Sequence, residues 1–200
     1  MIPRMPTPTR RALLRNTLAL PLCALPALGA AQAPDAATSA LRAGGVVIAF
    51  RHALAPGTFD PPGFTLGQCS TQRNLNDDGR AQARRMGQWF QRQGLKPARV
   101  RTSPWCRCTE TATLAFGNAE AWPALGSPRG YAEETNAEHL GLLRAALADA
   151  ARQPGRFEVW VTHMFVLSAL VQQNASSGEG LVLRADAQGG VQVLARVAPA

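Results

Sequence analysis

Two histidines in this chain close apolar runs. His52 follows Val46-Val47-Ile48-Ala49-Phe50-Arg51, and His163 follows Val159-Trp160-Val161-Thr162. An imidazole is a competent nucleophile near neutral pH when one ring nitrogen is bare and the other is held by a hydrogen bond. The guanidinium of Arg51, beside His52, offers a planar fork of fixed charge that matches phosphate oxygens. One strand that delivers an Arg-His pair to its carboxyl end, with a second strand delivering another histidine, is one way to build an anion pocket around a nucleophilic imidazole. The chemistry it points to is phosphoryl transfer. A further cation is available in Ser103-Pro104-Trp105-Cys106-Arg107-Cys108. If Ser103 caps a helix and Pro104 takes its first position, Arg107 lies one turn in and reaches back toward the amino end, where backbone N–H groups favour anions.

Those residues need elements to position them. Residues 34–44 are small and polar and lead into Val46 to Phe50, a continuous apolar run of the buried-strand kind. The Pro- and Gly-rich stretch from Ala55 to Gly63 reads as a loop beside the strand end. Asn76 caps a helix predicted over about 76–93, with Asp77 and Asp78 in its first turn and Ala83, Met86, Gly87 and Phe90 at helical spacing. Arg99 to Thr102 is a short strand that feeds the Ser103 helix, which runs to about Phe116. Pro123 to Arg129 reads as irregular, and Asn136 to Arg152 as an amphipathic helix with Leu140, Leu143 and Leu147 on one face. Phe157 to Thr162 is the next strand, followed by a short helix over about 164–173. Leu181 to Arg184 and Val191 to Arg196 make a terminal hairpin. Strands alternating with helices predict an α/β domain: a three-layer sandwich with a mostly parallel central sheet, helices on both faces and an antiparallel C-terminal hairpin. In such sheets the ligand crevice lies outside the carboxyl ends of the strands. Arg51, His52, Ser103 and His163 all fall there.

The first 33 residues stand apart from this domain. Arg4, Arg10, Arg11 and Arg15 precede the apolar run from Leu18 to Leu25, and a small-residue tract, Gly29 to Ala33, follows it. That is the pattern of a signal peptide rather than a membrane span. Thr9-Arg10-Arg11-Ala12-Leu13-Leu14-Arg15 resembles a twin-arginine export signal. The expected organisation is therefore a signal peptide over 1–33 and one domain over 34–200, periplasmic or secreted and without a membrane anchor after cleavage. The formal net charge of +8 includes those four arginines; the remaining chain carries 17 basic and 13 acidic residues, a net of +4. Its arginines are scattered, with no basic tract interleaved with aromatics, which argues against a nucleic-acid partner and for a small anionic one. No oligomeric state is indicated. Beyond the leader, Cys69, Cys106 and Cys108 remain. In an oxidising compartment one pair bridges and one thiol is left. Cys106 and Cys108 point to different faces of a helix, so Cys69 reaches one of the two and ties the long loop to the Arg107 segment. Dispersed histidines and a lone Cys-x-Cys do not make a metal-ligand set, and neither metal nor cofactor is expected.

Taken in order, Arg51-His52, the stretch Ser103-Pro104-x-x-Arg107-x-x-Glu110-Thr111-Ala112 and Thr162-His163 resemble the histidine phosphatase superfamily, also called phosphoglycerate-mutase-like. The segment from Leu75 to Ala83 resembles the helix start that follows the first motif in that family, and the likeness spans residues from about 45 to 170. It implies that His52 is the phosphorylated nucleophile, that Arg51, Arg107 and His163 complete the phosphate pocket, and that the reaction is metal-independent. Arg73 is a further candidate for the pocket. Two positions depart from the family's pattern: Ala53 stands where a glycine is usual, and Met164 follows His163 where phytase-like members carry an acidic proton donor. Mutase-like members take their acid from a glutamate in the interval occupied here by Glu133 and Glu134. Those two are the candidate general acids, with Asp60 on the loop after the first motif as a rival. The chain is more similar to small exported members, including a lipopolysaccharide heptose-phosphate phosphatase, and to the short phosphohistidine phosphatases, whose leaving imidazole needs little help from a protein acid. The resemblance thus implies a phosphatase acting on a small phosphorylated substrate, a phosphomonoester or phosphoramidate. The alternative is an anion-binding module of the same fold without turnover. His139 is read as a surface residue and Trp105 as packing or rim.

Overall fold

The computed structural model describes Met1 and residues 35–199. The segment expected to be a signal peptide, with Cys23, lies outside the described residues. Residues 35–199 pack as one compact unit, built on a six-stranded sheet ordered β3-β2-β4-β1-β5-β6. The strands are β1 (Val46–Arg51), β2 (Arg99–Thr102), β3 (Glu120–Ala121), β4 (Phe157–Thr162), β5 (Gly180–Ala185) and β6 (Val191–Val197). β1 pairs parallel with β4, β4 with β2 and β2 with β3, while β5 lies antiparallel to both β1 and β6. The mostly parallel sheet and the C-terminal hairpin are as the sequence predicts.

The apolar run of β1 is continuous because the strand is buried on both faces. Val46, Ile48 and Phe50 face one core with Met86, Phe90 and Trp105; Val47 and Ala49 face another with Leu143, Leu147 and Leu167. The first core is roofed by α1 (Ala36–Ala43), α2 (Asp77–Arg92) and α3 (Cys106–Phe116), the second by α4 (Glu133–Ala151) and α5 (Met164–Val171). Asn76 caps α2 as expected, accepting the Gly79 N–H at 2.9 Å. A side chain at Gly79 would run into the Leu54 carbonyl, and one at Gly87 into that of Ala115. Glycines at these two places let α2 press against the turn after β1 and against α3.

Three local expectations are corrected. The lead-in is helical: Asp35 takes the Thr38 N–H at 2.7 Å and buries Ala37 and Leu41, a pattern too short to show a period. α4 begins at Glu133 rather than Asn136, with its two acids at the favourable end of the helix dipole. Ser103 does not cap α3, which starts after Trp105; the Ser103 hydroxyl is engaged by His163 at 2.8 Å instead. Within residues 123–129, Pro123–Leu125 and Pro128–Gly130 each make a 3-10 turn, and Thr162 anchors the first by donating its hydroxyl to the Leu125 carbonyl at 2.6 Å.

Candidate active site

Strand register brings the two histidines together. Arg51 is opposite Thr162 across β1 and β4, and the His52 N–H donates to the Thr162 carbonyl at 2.9 Å. The Ser103 N–H reaches the Val161 carbonyl at 2.9 Å, so β2 ends beside β4. The imidazole rings of His52 and His163 meet edge to face, centroids 5.6 Å apart. With Arg51, Arg73 and Arg107 they line a cavity of about 290 Å³ at the carboxyl ends of the parallel strands.

Hydrogen bonds fix the protonation of both rings. His52 Nδ1 lies 2.7 Å from the Ala53 carbonyl. A carbonyl only accepts, so Nδ1 carries the proton and Nε2 is bare. A nitrogen of the Arg73 guanidinium, itself purely a donor, stands 3.4 Å from that Nε2. At His163, Arg107 donates to Nδ1 at 3.3 Å, which leaves Nε2 to donate to the Ser103 hydroxyl at 2.8 Å. Burial pushes the His52 imidazole down to about 3, with Arg107, Arg73 and Arg51 adding repulsion and the Ala53 bond opposing. Burial and then Arg107 also hold His163 well below its ordinary value. Both rings are neutral at physiological pH.

The turn after His52 is braced from α3. Thr111 accepts the Ala53 N–H at 3.1 Å and donates to the Arg107 carbonyl at 2.6 Å. Ala53 does not adopt a positive φ. The methyl group in place of the family's glycine is therefore carried without backbone strain.

Three guanidiniums converge on the cavity, opposed by one carboxylate. Arg107, 3% exposed, pairs with Asp60 at 2.8 Å. Asp60 also accepts the Arg73 N–H at 3.0 Å and the Trp105 indole N–H at 3.2 Å. Arg51 donates to the Ala175 carbonyl at 3.2 Å, and Arg73 to the Ala55 carbonyl. Burial, then Arg107, lowers both Arg51 and Arg73, the latter to about 10. The Nε atoms of Arg51, Arg73 and Arg107 are all buried without a hydrogen-bond partner.

Arg51, His52, Arg73, Arg107 and His163 are thus brought into one cavity, whereas Glu133 and Glu134 are not. Both glutamates are exposed in the first turn of α4, outside the cavity lining. The helix that carries them starts at Glu133, three residues earlier than expected, and both are exposed there. Asp60 does line the cavity, but both its oxygens are occupied as acceptors by three donors. Trp105 is fully buried and stacks edge to face on His163 at 5.2 Å, so it is a wall rather than rim. His139 is half-buried against Tyr131, rings 4.9 Å apart. Phe59, Arg129 and Phe165 at the mouth had no sequence signal, because they come from irregular or first-turn positions far apart in the chain.

Cys69 and Cys106 lie at disulfide distance, Cα atoms 5.6 Å apart. Cys108 is buried, its thiol pushed up to about 12 by burial, with Sγ 3.6 Å from the Thr162 carbonyl and 3.5 Å from His163 Nε2. Among the described residues no three or more His, Cys, Asp or Glu side chains form a metal-holding group. No described helix is long and apolar enough to cross a membrane.

Fold and site together define a class: an α/β protein that gathers an imidazole and several guanidiniums, an anion-binding set, at the carboxyl ends of parallel strands. Residues 51–127, the segment that carries most of the pocket, match the model of the histidine phosphatase superfamily, branch 1. No curated protein matches the sequence. Among solved structures, the chain is similar to the protein histidine phosphatase SixA complexed with tungstate, at 18% identity and a TM-score of 0.53 over 77% of this chain and 97% of that one. It is also similar to the α-ribazole phosphatase from Shigella flexneri, at 13% identity and a TM-score of 0.55, covering 78% and 96%. A mycobacterial glucosyl-3-phosphoglycerate phosphatase complexed with VO3 gives 14% identity and a TM-score of 0.53, covering 74% and 96%. At such identities the structural likeness concerns the fold; the family match supports phosphatase chemistry in general.

Proposed function

We propose that the protein is an exported, metal-independent phosphatase that hydrolyses a phosphomonoester or phosphoramidate through a phosphohistidine at His52. The observation that carries this reading is the bare Nε2 of His52, held by the Nδ1 bond to Ala53 among the guanidiniums of Arg51, Arg73 and Arg107. The arginines bind the phosphoryl oxygens and neutralise charge as it builds. His52 Nε2 attacks phosphorus, the bond from phosphorus to the leaving oxygen or nitrogen breaks, and the leaving group takes a proton. Water then attacks the phosphohistidine, releasing inorganic phosphate and restoring the neutral ring.

The proton donor sets the leaving-group class. Glu133 and Glu134 face solvent, and Asp60 is fully engaged as an acceptor. A site with this arrangement suits a leaving group that needs little protein acid, such as the imidazole of a phosphoramidate or a stabilised alkoxide. The Cys69–Cys106 pair at disulfide distance supports an oxidising compartment, in keeping with the leader sequence.

Alkaline quench of the enzyme with labelled substrate tests the reading, because phosphohistidine survives base. Label on the wild type and none on His52→Ala is expected, with turnover intact in excess EDTA; turnover without label would overturn it. The engagement of Asp60 favours one second reading, an anion-binding module without turnover. It predicts phosphate affinity and no burst of product from an activated phosphoester.

A further inference from the structure

Arg129 stands apart from the three arginines of the cavity floor. Its guanidinium carbon lies 4.3 Å from the ring centroid of Phe59 and 5.1 Å from that of Phe165. The three residues come from the loop after β1, the 3-10 turn Pro128–Gly130 and the first turn of α5, and all three line the cavity mouth. Contact with both rings holds the guanidinium and leaves its N–H edge unspent. Among the described residues, arginine ion pairs involve Arg80, Arg99, Arg101, Arg107, Arg152 and Arg196, and none involves Arg129.

Charge counting says what the edge is for. Arg51, Arg73 and Arg107 against Asp60 leave the floor two positive charges in excess, which a phosphate dianion cancels, since both histidines are neutral. Arg129 then remains as one uncompensated positive charge at the mouth. The ring faces that would stack on a planar leaving group are turned to the guanidinium, so the free chemistry there is a cationic hydrogen-bond donor with apolar walls.

We infer that Arg129 is a specificity-determining residue that receives a second, singly charged anionic group on the leaving portion of the substrate. The substrate class is a small phosphorylated compound whose leaving group bears a carboxylate or an equivalent monoanion. This rests on the phosphatase reading of the floor, and the test separates the two. 2-Phosphoglycolate and ethyl phosphate, which differ by one carboxylate, are compared as competitors of p-nitrophenyl phosphate turnover. The wild type is expected to prefer phosphoglycolate by roughly tenfold, the worth of one charge-assisted hydrogen bond. In Arg129→Gln the ratio falls to within about twofold of one. Arg129→Lys is intermediate, because it keeps the charge and loses the planar stack. An unchanged ratio in Arg129→Gln, or no preference in the wild type, while His52→Ala abolishes turnover, overturns the assignment of Arg129 alone. Turnover that survives in His52→Ala overturns the phosphohistidine reading beneath it.

Discussion

The floor and the mouth of the cavity are built in opposite ways. Arg51, His52 and His163 sit at the ends of buried strands, where register leaves them no choice of position, and Arg107 follows in the first turn of a helix fed by a third strand. Phe59, Asp60 and Arg129 come from irregular segments that hold one another through side chains: Asp60 to Arg107 and Trp105, and Arg129 to two phenylalanines. Backbone ladders fix most of the floor, with Arg73 as its one loop-borne member. Side-chain contacts hold the part that, on the proposed reading, meets the leaving group, which would make chemistry and selectivity separable.

The floor is where the largest effects are expected. His52→Ala should lower kcat by at least about 10⁴, because it removes the nucleophile rather than a binding contact. Loss of less than tenfold in steady-state turnover would move the chemistry away from β1. Arg107→Lys keeps the charge but cannot span both Asp60 and His163, which Arg107 now bridges at 2.8 and 3.3 Å. A fall of about 10² in kcat is expected, and a change confined to KM would demote Arg107 to a binding contact.

The floor also carries a pH signature that the mouth lacks. His52 and His163 have folded values below the ordinary 6.5, the first at about 3. The unfolded chain therefore takes up protons between pH 6.5 and about 3 that the folded chain refuses. For His52 the stability involved is fully present above pH 6.5 and is lost as pH falls toward 3, by roughly 1 kcal/mol per unit, and His163 contributes in the same direction. Urea midpoints should drop between pH 7 and pH 5, and His163→Gln should flatten the slope. A wild-type profile that is already flat would mean the rings are solvated.

The same division decides what could be read from the sequence. Apolar runs that end in Arg-His and Thr-His announce buried strands delivering polar groups, and the order of elements gave the sheet and the hairpin. The role of Arg73 was less legible, since its approach to His52 depends on the loop that carries it. Asp60 could be named but not placed, because a Pro- and Gly-rich loop has no period. Glu133 and Glu134 stand in a helix that starts three residues earlier than its apolar spacing indicates, and that spacing does not say which way first-turn acids face. Arg129 was invisible: a cation held between two rings 70 and 36 residues away leaves no local pattern.

Cys69 and Cys106 join the two regions, tying the end of the long loop to α3 one residue from Arg107. The oxidised protein should be lighter than the reduced one by two hydrogens in intact mass. Replacing both residues by serine should cost roughly 2–4 kcal/mol by freeing a loop of this length in the unfolded chain. If the tie serves the mouth, KM rises in the double variant while kcat stays within about threefold. An equal fall in kcat would show that the floor depends on it as well.

A further variant discriminates most sharply, because Asp60 touches both regions. As an anchor it restrains Arg107, the Arg73 backbone and Trp105 together. Asp60→Asn should then slow all substrates by about tenfold, whatever the basicity of the leaving group, since the amide keeps one acceptor and loses the charge. A general acid behaves differently: its removal penalises basic leaving groups by 10² or more and spares activated ones such as p-nitrophenol. Rates for a series of substituted phenyl phosphates, plotted against leaving-group basicity, separate the two. Parallel lines for wild type and Asp60→Asn keep Asp60 as a strut between floor and mouth; a steeper line for the variant would make it the missing proton donor and give the site a wider range of esters than its geometry now supports.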